Sequence, residues 1–205
     1  MKKLLASIMA VMLVLAMTSC SGGNSGASGD DQAAQQNTDV RSIVVYFSCT
    51  GNTKAVAEEV AAQTGSELHE IVPEEPYTEE DLNYNNDNCR ANIEMNDPES
   101  RPAISNTIEN FSEYDTIYIG YPIWWGSLPR IMNTFLDTYD FSGKTIVPFC
   151  TSGSSSISQS VSVIREAEPH GLSEPEAQIK KGLQISSAGA DDSSYEVRKW
   201  LEEIK

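Results

Sequence analysis

Short unbroken apolar runs alternate along this chain with stretches whose apolar residues recur at helical spacing. Ile43-Val44-Val45-Tyr46-Phe47 is β-branched and aromatic throughout and bounded by polar residues, the pattern of a strand covered on both faces. Asn52 to Thr64 is helical in character: Val56, Ala57, Val60 and Ala61 form a stripe of small residues that lets a helix lie close to a sheet, and Gly65 is placed to stop it. Leu68 to Val72 reads as a second strand, Thr116 to Gly120 as a third and Thr145 to Phe149 as a fourth, with the last inside Ala177 to Ile185. Pro148 is awkward in a central strand because it removes a ladder donor.

Helices fill the intervals. Ser127 is placed to cap one and Pro129 to occupy its first turn, with Leu128, Ile131, Met132, Phe135 and Leu136 as the apolar face. Ile157, Val161 and Ile164 mark a Ser-rich helix that Pro169 ends. Ser193-Ser194-Tyr195-Glu196 has the capping-box pattern and opens a closing helix faced by Val197, Trp200, Leu201 and Ile204. From Pro73 to Ala103 runs an acidic, Asn-rich excursion whose helix signal is Thr78-Glu79-Glu80-Asp81. Strands alternating with helices predict an α/β fold, a three-layer sandwich on a doubly wound parallel sheet.

The beginning of the chain is different. Lys2 and Lys3 precede a largely apolar run of fourteen residues, Leu4 to Met17, too short for the roughly 20 that span a bilayer, so residues 1–19 read as a secretory signal peptide. Met17-Thr18-Ser19-Cys20 resembles the bacterial lipoprotein cleavage box, in which the cysteine is lipidated and becomes the new N-terminus. The tract 20–39, rich in Gly, Ser and Gln and without apolar periodicity, reads as a flexible tether. The folded domain is therefore expected over residues 40–205, exported and anchored to the outer face of a bacterial cytoplasmic membrane.

Composition narrows the function. The 205 residues are 40% hydrophobic and 21% charged, enough for one real core. Fourteen Lys and Arg stand against 30 Asp and Glu, and loss of Lys2 and Lys3 takes the net charge from −16 to −18. Such a surface repels nucleic acid, so none is expected as a partner. Four cysteines and two histidines are too few and too scattered for a disulfide scaffold or a closed zinc site.

The chemistry concentrates at three loops that leave the carboxyl ends of strands, where open α/β sheets bind ligands. In the first, Ser48-Cys49-Thr50-Gly51-Asn52-Thr53, a Gly turn, three hydroxyls and a helix N-terminus make an anion cradle. It lacks the Walker and dinucleotide glycine patterns, and the position six after Cys49 is Ala55, not the Arg of a tyrosine-phosphatase loop. Local donors outweigh distant acidic charge, because screening acts beyond roughly 8–10 Å while each nearby charge-assisted hydrogen bond contributes about 1.5–3 kcal/mol. The second loop, Tyr121-Pro122-Ile123-Trp124-Trp125-Gly126, sets two indoles beside a glycine and suits a planar aromatic ligand. The third, Thr151-Ser152-Gly153, offers hydroxyls and open backbone for a polar ligand edge.

On these residues the chain resembles the flavodoxins, in the branch with a Y-P-I-W-W-G loop, over about residues 40–205. The phosphate motif S/T-x-T-G-x-T matches at Ser48, Thr50, Gly51 and Thr53. The resemblance implies FMN as cofactor, a five-stranded sheet in the order 2-1-3-4-5, phosphate held by residues 48–53 and isoalloxazine held by the second and third loops. It further implies Trp124 or Trp125 against the ring, Gly126 near its N5 edge and Thr151 to Gly153 on its pyrimidine side. Typical members stack a Tyr from the third loop on the flavin, and Thr151-Ser152-Gly153 offers none.

Three functions follow from this reading. The leading one is an FMN-binding electron-transfer protein whose redox partner is a protein or a quinone. The second is an FMN-dependent NAD(P)H:quinone-type oxidoreductase, and the third a flavin-free binding lipoprotein. Reduced flavin gains negative charge in an acidic surrounding, so a low reduction potential is expected. His69 is read as a strand residue and His170 as a turn residue, neither a ligand nor a base. Cys49 and Cys150 flank the site as packing groups, and Cys89 is a bystander in the excursion. No G-x-S-x-G elbow supports a serine hydrolase.

The lipid-anchor reading predicts that the full chain made in a bacterial host partitions with the membrane and that Cys20→Ser releases it to the soluble fraction. Equal partitioning of the two proteins in a detergent phase separation contradicts the reading.

Overall fold

The apolar runs do become strands, and alternate residues of each feed opposite faces. The computed structural model describes residues 40–167 and 176–205, so the signal, Cys20, the tether, Pro169 and His170 lie outside the described residues. The elements are β1 (Ser42–Tyr46), α1 (Asn52–Thr64), β2 (Glu67–Glu70), α2 (Arg90–Asn96), β3 (Thr116–Pro122) and α3 (Arg130–Thr138). They continue with β4 (Thr145–Ser152), α4 (Ser158–Ala167), β5 (Gln178–Ile179), β6 (Leu183–Ser186) and α5 (Ser194–Glu203). No helix among the described residues is long and apolar enough to cross a membrane.

The strands form one parallel sheet in the order β2-β1-β3-β4-β5, with β6 also on β4, which is the expected 2-1-3-4-5 arrangement. Ile43, Val45 and Phe47 pack with Ile131, Met132 and Phe135 of α3 and Ile164 of α4. Val44 and Tyr46 pack on the other face with Val56, Ala57 and Val60 of α1 and with Val197 and Trp200 of α5. This two-sided alternation is what makes a three-layer sandwich. Gly65 ends α1 in the left-handed conformation, φ +70°, donating its N–H to Ala61 O.

The expected fifth strand is two pieces, and Pro148 explains the break. The carbonyls of Lys144 and Ile146 accept from Gln178 and Lys180, so alternate residues of β4 point toward β5. Pro148 belongs to this set, and its missing N–H therefore falls on the β5–β6 side rather than on β3. Between the paired positions Ile146–Ile179 and Phe149–Leu183, three residues (Lys180, Lys181, Gly182) stand opposite two (Val147, Pro148). The extra residue makes a bulge at the point where the ladder has no donor.

Three cap expectations are corrected. Thr78 and Asp81 do exchange side-chain and backbone hydrogen bonds at 2.9–3.2 Å, but turns follow instead of a helix. The next residues are Asn-rich, and Asn83 and Asn86 accept from the N–H groups of Asn85 and Asn88, which favours turns over a helical ladder. The excursion's helix is α2, opened by Cys89, whose buried sulfur accepts the Asn92 N–H at 3.4 Å, so Cys89 has a structural role. Ser127 does not cap α3, because the helix starts at Arg130, so that Pro129 is the N-cap residue rather than part of the first turn and no side chain bonds the first amides. Ser193 precedes α5, but its hydroxyl makes no cap bond. Its backbone (φ −97°, ψ 4°) leaves a preceding 3₁₀ turn and is not extended as a box requires.

One residue of the central sheet is fixed by packing alone. Gly120 pairs with Phe149, whose ring lies over the glycine backbone so closely that a Cβ there would stand 2.5 Å from Cε2. Gly120→Ala is expected to lower the urea unfolding midpoint by an amount equivalent to about 1–3 kcal/mol. An unchanged midpoint contradicts this packing.

Candidate functional site

A parallel sheet sends the exits of β1, β3 and β4 to the same edge, and the three loops singled out above meet there. Ser48–Thr53 leaves β1. Gly51 is the N-cap of α1 with φ +88°, a conformation that favours glycine, and no side chain caps the helix. The first-turn amides are therefore available to a ligand. The Gly51 N–H donates to Ser48 Oγ at 3.1 Å, which shapes the turn. Thr50 is exposed, whereas Thr53 is buried, with its Oγ1 2.8 Å from Oγ1 of the buried Thr151. That hydroxyl pair ties the head of α1 to the end of β4.

The second loop is a tight reversal. Trp124 and Ser127 exchange backbone hydrogen bonds, 2.9 Å each, around Trp125 (φ +47°) and Gly126 (φ +78°), so both central residues have positive φ as in a type I′ turn. Positive φ at a bulky residue such as Trp125 is strained and marks functional sites. Trp124 is buried, meeting Phe47 and Tyr77 edge-on at 5.7 and 5.4 Å between ring centroids. The Ile123 N–H donates to Thr151 O at 2.9 Å and locks the second loop to the third. In the third loop Thr151 and Ser152 are buried and Gly153 is exposed.

Two adjoining cavities result. One of about 220 Å³ is lined by Ser48, Cys49, Thr50, Asn52 and Thr53 of the first loop, Pro122, Ile123 and Trp124 of the second, and Thr151, Ser152 and Gly153 of the third. The other, about 250 Å³, is walled by Tyr84, Ile123, Trp124 and Trp125. They share Tyr84, Ile123 and Trp124, and together they fall in the range of roughly 300–1,000 Å³ usual for ligand sites. Eleven of the fourteen predicted binding residues thus line the polar cavity. Trp125 faces the other one, Gly51 shapes the turn, and Gly126 sits under α4, where an added Cβ would meet Gln159 Oε1 at 3.3 Å.

Leu82 and Tyr84 of the excursion, and Ser187, also line the polar cavity and carry no signal in the three loops. Behind Trp124 lies a second contribution of the excursion. Tyr77 donates from its hydroxyl to Glu94 Oε2 at 2.5 Å, Arg90 donates from Nε to Glu94 Oε1 at 2.6 Å, and the Arg90 guanidinium lies 4.0 Å over the Tyr77 ring. Arg90 also donates to the Glu75 carbonyl at 2.7 Å. The available hint was compositional: Tyr77, Leu82 and Tyr84 are, with Ile93 and Met95, the large apolar exceptions in a polar tract. His69 lies on β2, its Nε2 3.1 Å from the Asn106 amide, and away from the cleft.

Burial makes the ionisable groups that matter here weaker acids. Desolvation first, then the Glu94 hydrogen bond, pushes the Tyr77 phenol far above its ordinary value. Burial alone pushes the Cys150 thiol up to about 12. Cys49 is exposed as a residue but its sulfur is desolvated, which raises it to about 12 against the opposing pull of Arg90. Both sulfurs are neutral thiols at physiological pH and weak nucleophiles.

With this geometry in view, the family model for flavodoxin matches residues 41–204. The chain belongs to the flavodoxin family. A protein described as a flavoprotein from Bacteroides eggerthii is 42% identical over 80% of this chain and 97% of that one, with a TM-score of 0.71. A second, from Bacteroides uniformis, is 40% identical over 79% and 97%, also at 0.71. A flavoprotein from Lactobacillus acidophilus, solved in complex with FMN, is 26% identical over 78% and 98%, at 0.57. No curated protein sequence gives a match. In this flavodoxin-family chain the S-C-T-G-N-T loop and the Y-P-I-W-W-G loop meet at one cleft.

The shielded Cys49 sulfur makes a pH-dependent prediction. Its alkylation by iodoacetamide, followed by peptide mapping, is expected to be slow at pH 8 relative to free cysteine and to keep rising past pH 10. A rate that levels off near pH 8.5 contradicts the shielding.

Proposed function

We propose that this chain is an FMN-binding electron-transfer protein, exported and held by a lipidated Cys20 at the outer face of a bacterial cytoplasmic membrane. The observation that carries the cofactor assignment is the uncapped head of α1, bent by Gly51 and tied through Thr53 to Thr151, opening directly onto an aromatic-walled cavity. A dianionic phosphate needs donors, and this cradle supplies amides and hydroxyls without a competing carboxylate in its lining. A flat ring needs apolar walls, which Ile123, Trp124 and Trp125 provide. The donor set and the cleft therefore fit FMN, and the Lactobacillus acidophilus relative solved with FMN supports the same cofactor.

The roles divide by loop. Ser48, Cys49, Thr50, Gly51, Asn52 and Thr53 hold the phosphate through backbone N–H and hydroxyl groups. Pro122, Ile123, Trp124, Trp125 and Gly126 shelter the ring from water, and Thr151, Ser152 and Gly153 meet its polar edge. When bound, FMN supplies reversible acceptance and release of electrons. The thiols of Cys49 and Cys150 stay protonated and take no part. The net charge of −18 left after loss of Lys2 and Lys3 gives a complementary surface for a basic redox protein and raises its encounter rate, and a quinone is the small-molecule alternative.

Equilibrium titration of the purified protein with FMN and with riboflavin tests the assignment. FMN is expected to bind at one equivalent, with riboflavin at least a hundredfold weaker, since two charge-assisted bonds at about 1.5 kcal/mol each correspond to that ratio. Reductive titration of the complex should give a potential below that of free FMN. Equal affinities for the two flavins, or a flavin reduced more easily than free FMN, contradict the reading.

A further inference from the structure

Exposed aromatic side chains are few among the described residues, and two of them stand together at the mouth of the cleft. Tyr84 is 54% exposed and Trp125 45%, and their rings meet edge to face, 5.0 Å between centroids at 88°. Water-facing aromatic surface of this size is unfavourable unless something covers it part of the time. The cavity of about 250 Å³ lies directly against the pair, closed on its inner side by Trp124 and Ile123. Tyr84 also lines the polar cavity, so it stands where the two compartments join.

Neither residue is placed by chance of a loose loop. Trp125 is held at φ +47° by the paired backbone of Trp124 and Ser127. Tyr84 is carried by the long β2–β3 connection, yet its backbone is pinned from behind. Asn92, 5% exposed on α2, donates its amide to Tyr84 O at 3.4 Å and to Asn86 O at 2.7 Å. The Tyr84 N–H donates to Leu82 O at 3.0 Å. A buried asparagine spent on fixing an exposed aromatic residue means that its position matters.

We infer that Tyr84, with Trp125, forms the outer wall of the site for the planar ring, so that the β2–β3 excursion is part of the flavin site as well as the three loops. The inference rests on the FMN reading above and deepens it by assigning a ring-binding residue outside those loops. Tyr84 acts on the tricyclic ring and not on the phosphate, so it contributes equally to flavins with and without the phosphate group.

The test compares wild type with Tyr84→Ala, Tyr84→Phe and, as a remote control, Tyr195→Ala, whose side chain is 69% exposed on α5. Each is titrated with FMN and riboflavin, and flavin fluorescence is read at saturation. Tyr84→Ala is expected to weaken both flavins by a similar factor of about ten and to brighten bound flavin, since the loss of one aromatic contact is of that order. Tyr84→Phe, which keeps the ring, should stay within about twofold of wild type, as should Tyr195→Ala. Because Tyr84 is half outside, thermal unfolding of Tyr84→Ala without flavin should match wild type without flavin. Wild type that binds FMN while Tyr84→Ala binds both flavins as tightly, with unchanged fluorescence, overturns this inference alone. Tyr84→Ala that weakens FMN only also overturns it, because the residue then acts on the phosphate. Wild type that binds no FMN removes the underlying reading and this inference with it.

Discussion

The buried hydroxyl pair of Thr53 and Thr151, 2.8 Å apart, is the contact on which the rest of the cleft depends. In the sheet order β1 and β4 are separated by β3, so their exits do not touch through the strand ladder. The bond between these two threonines spans that gap and sets the head of α1 against the end of β4. With the Ile123 N–H on Thr151 O, all three loops are referenced to one residue. A parallel sheet provides the common edge, because strands of one sense must release their chains on the same side. The hydroxyl pair turns a common edge into a defined cavity, and a buried pair of this kind is costly to break because either partner is then left unsatisfied.

The second constraint is electrostatic. A chain of net charge −16 is an unfavourable host for a phosphate dianion at long range. Screening confines that repulsion, and the lining of the polar cavity contains no acidic side chain. The buried carboxylate nearest the aromatic wall, Glu94, is neutralised by Arg90 and capped by the Tyr77 hydroxyl. Acidic charge is thus kept out of the cradle's lining.

Much of this arrangement was legible in the chain. Helix α1 runs from Asn52 to Thr64 as its stripe and its terminal glycine indicated, because both signals are local and agree. Strand β4 continues past Phe149 to Ser152, three polar or thiol residues longer than its apolar run, since Cys150 and Thr151 pair with Tyr121 and Pro122 of β3 and Ser152 pairs with Ser186 of β6. The split of the last strand was foreshadowed by Pro148, but which neighbour would lose the bond depends on the alternation of β4 and not on composition. The excursion was unreadable in detail. Its helix starts at a cysteine cap rather than at Thr78, and the placement of Tyr77 and Tyr84 is decided by Glu94, Arg90 and Asn92, contacts between residues whose spacing carries no periodic signal.

The claim that everything else serves is that neutral amides and hydroxyls hold a fully ionised phosphate at the head of α1. Phosphorus NMR of the bound cofactor across pH 5 to 8 addresses it directly. A free phosphate monoester takes up its second proton near pH 6. Donor-only surroundings favour the dianion, so the bound resonance should stay at the dianion position across the range. A resonance that moves with a midpoint near 6, as in free solution, would contradict the account.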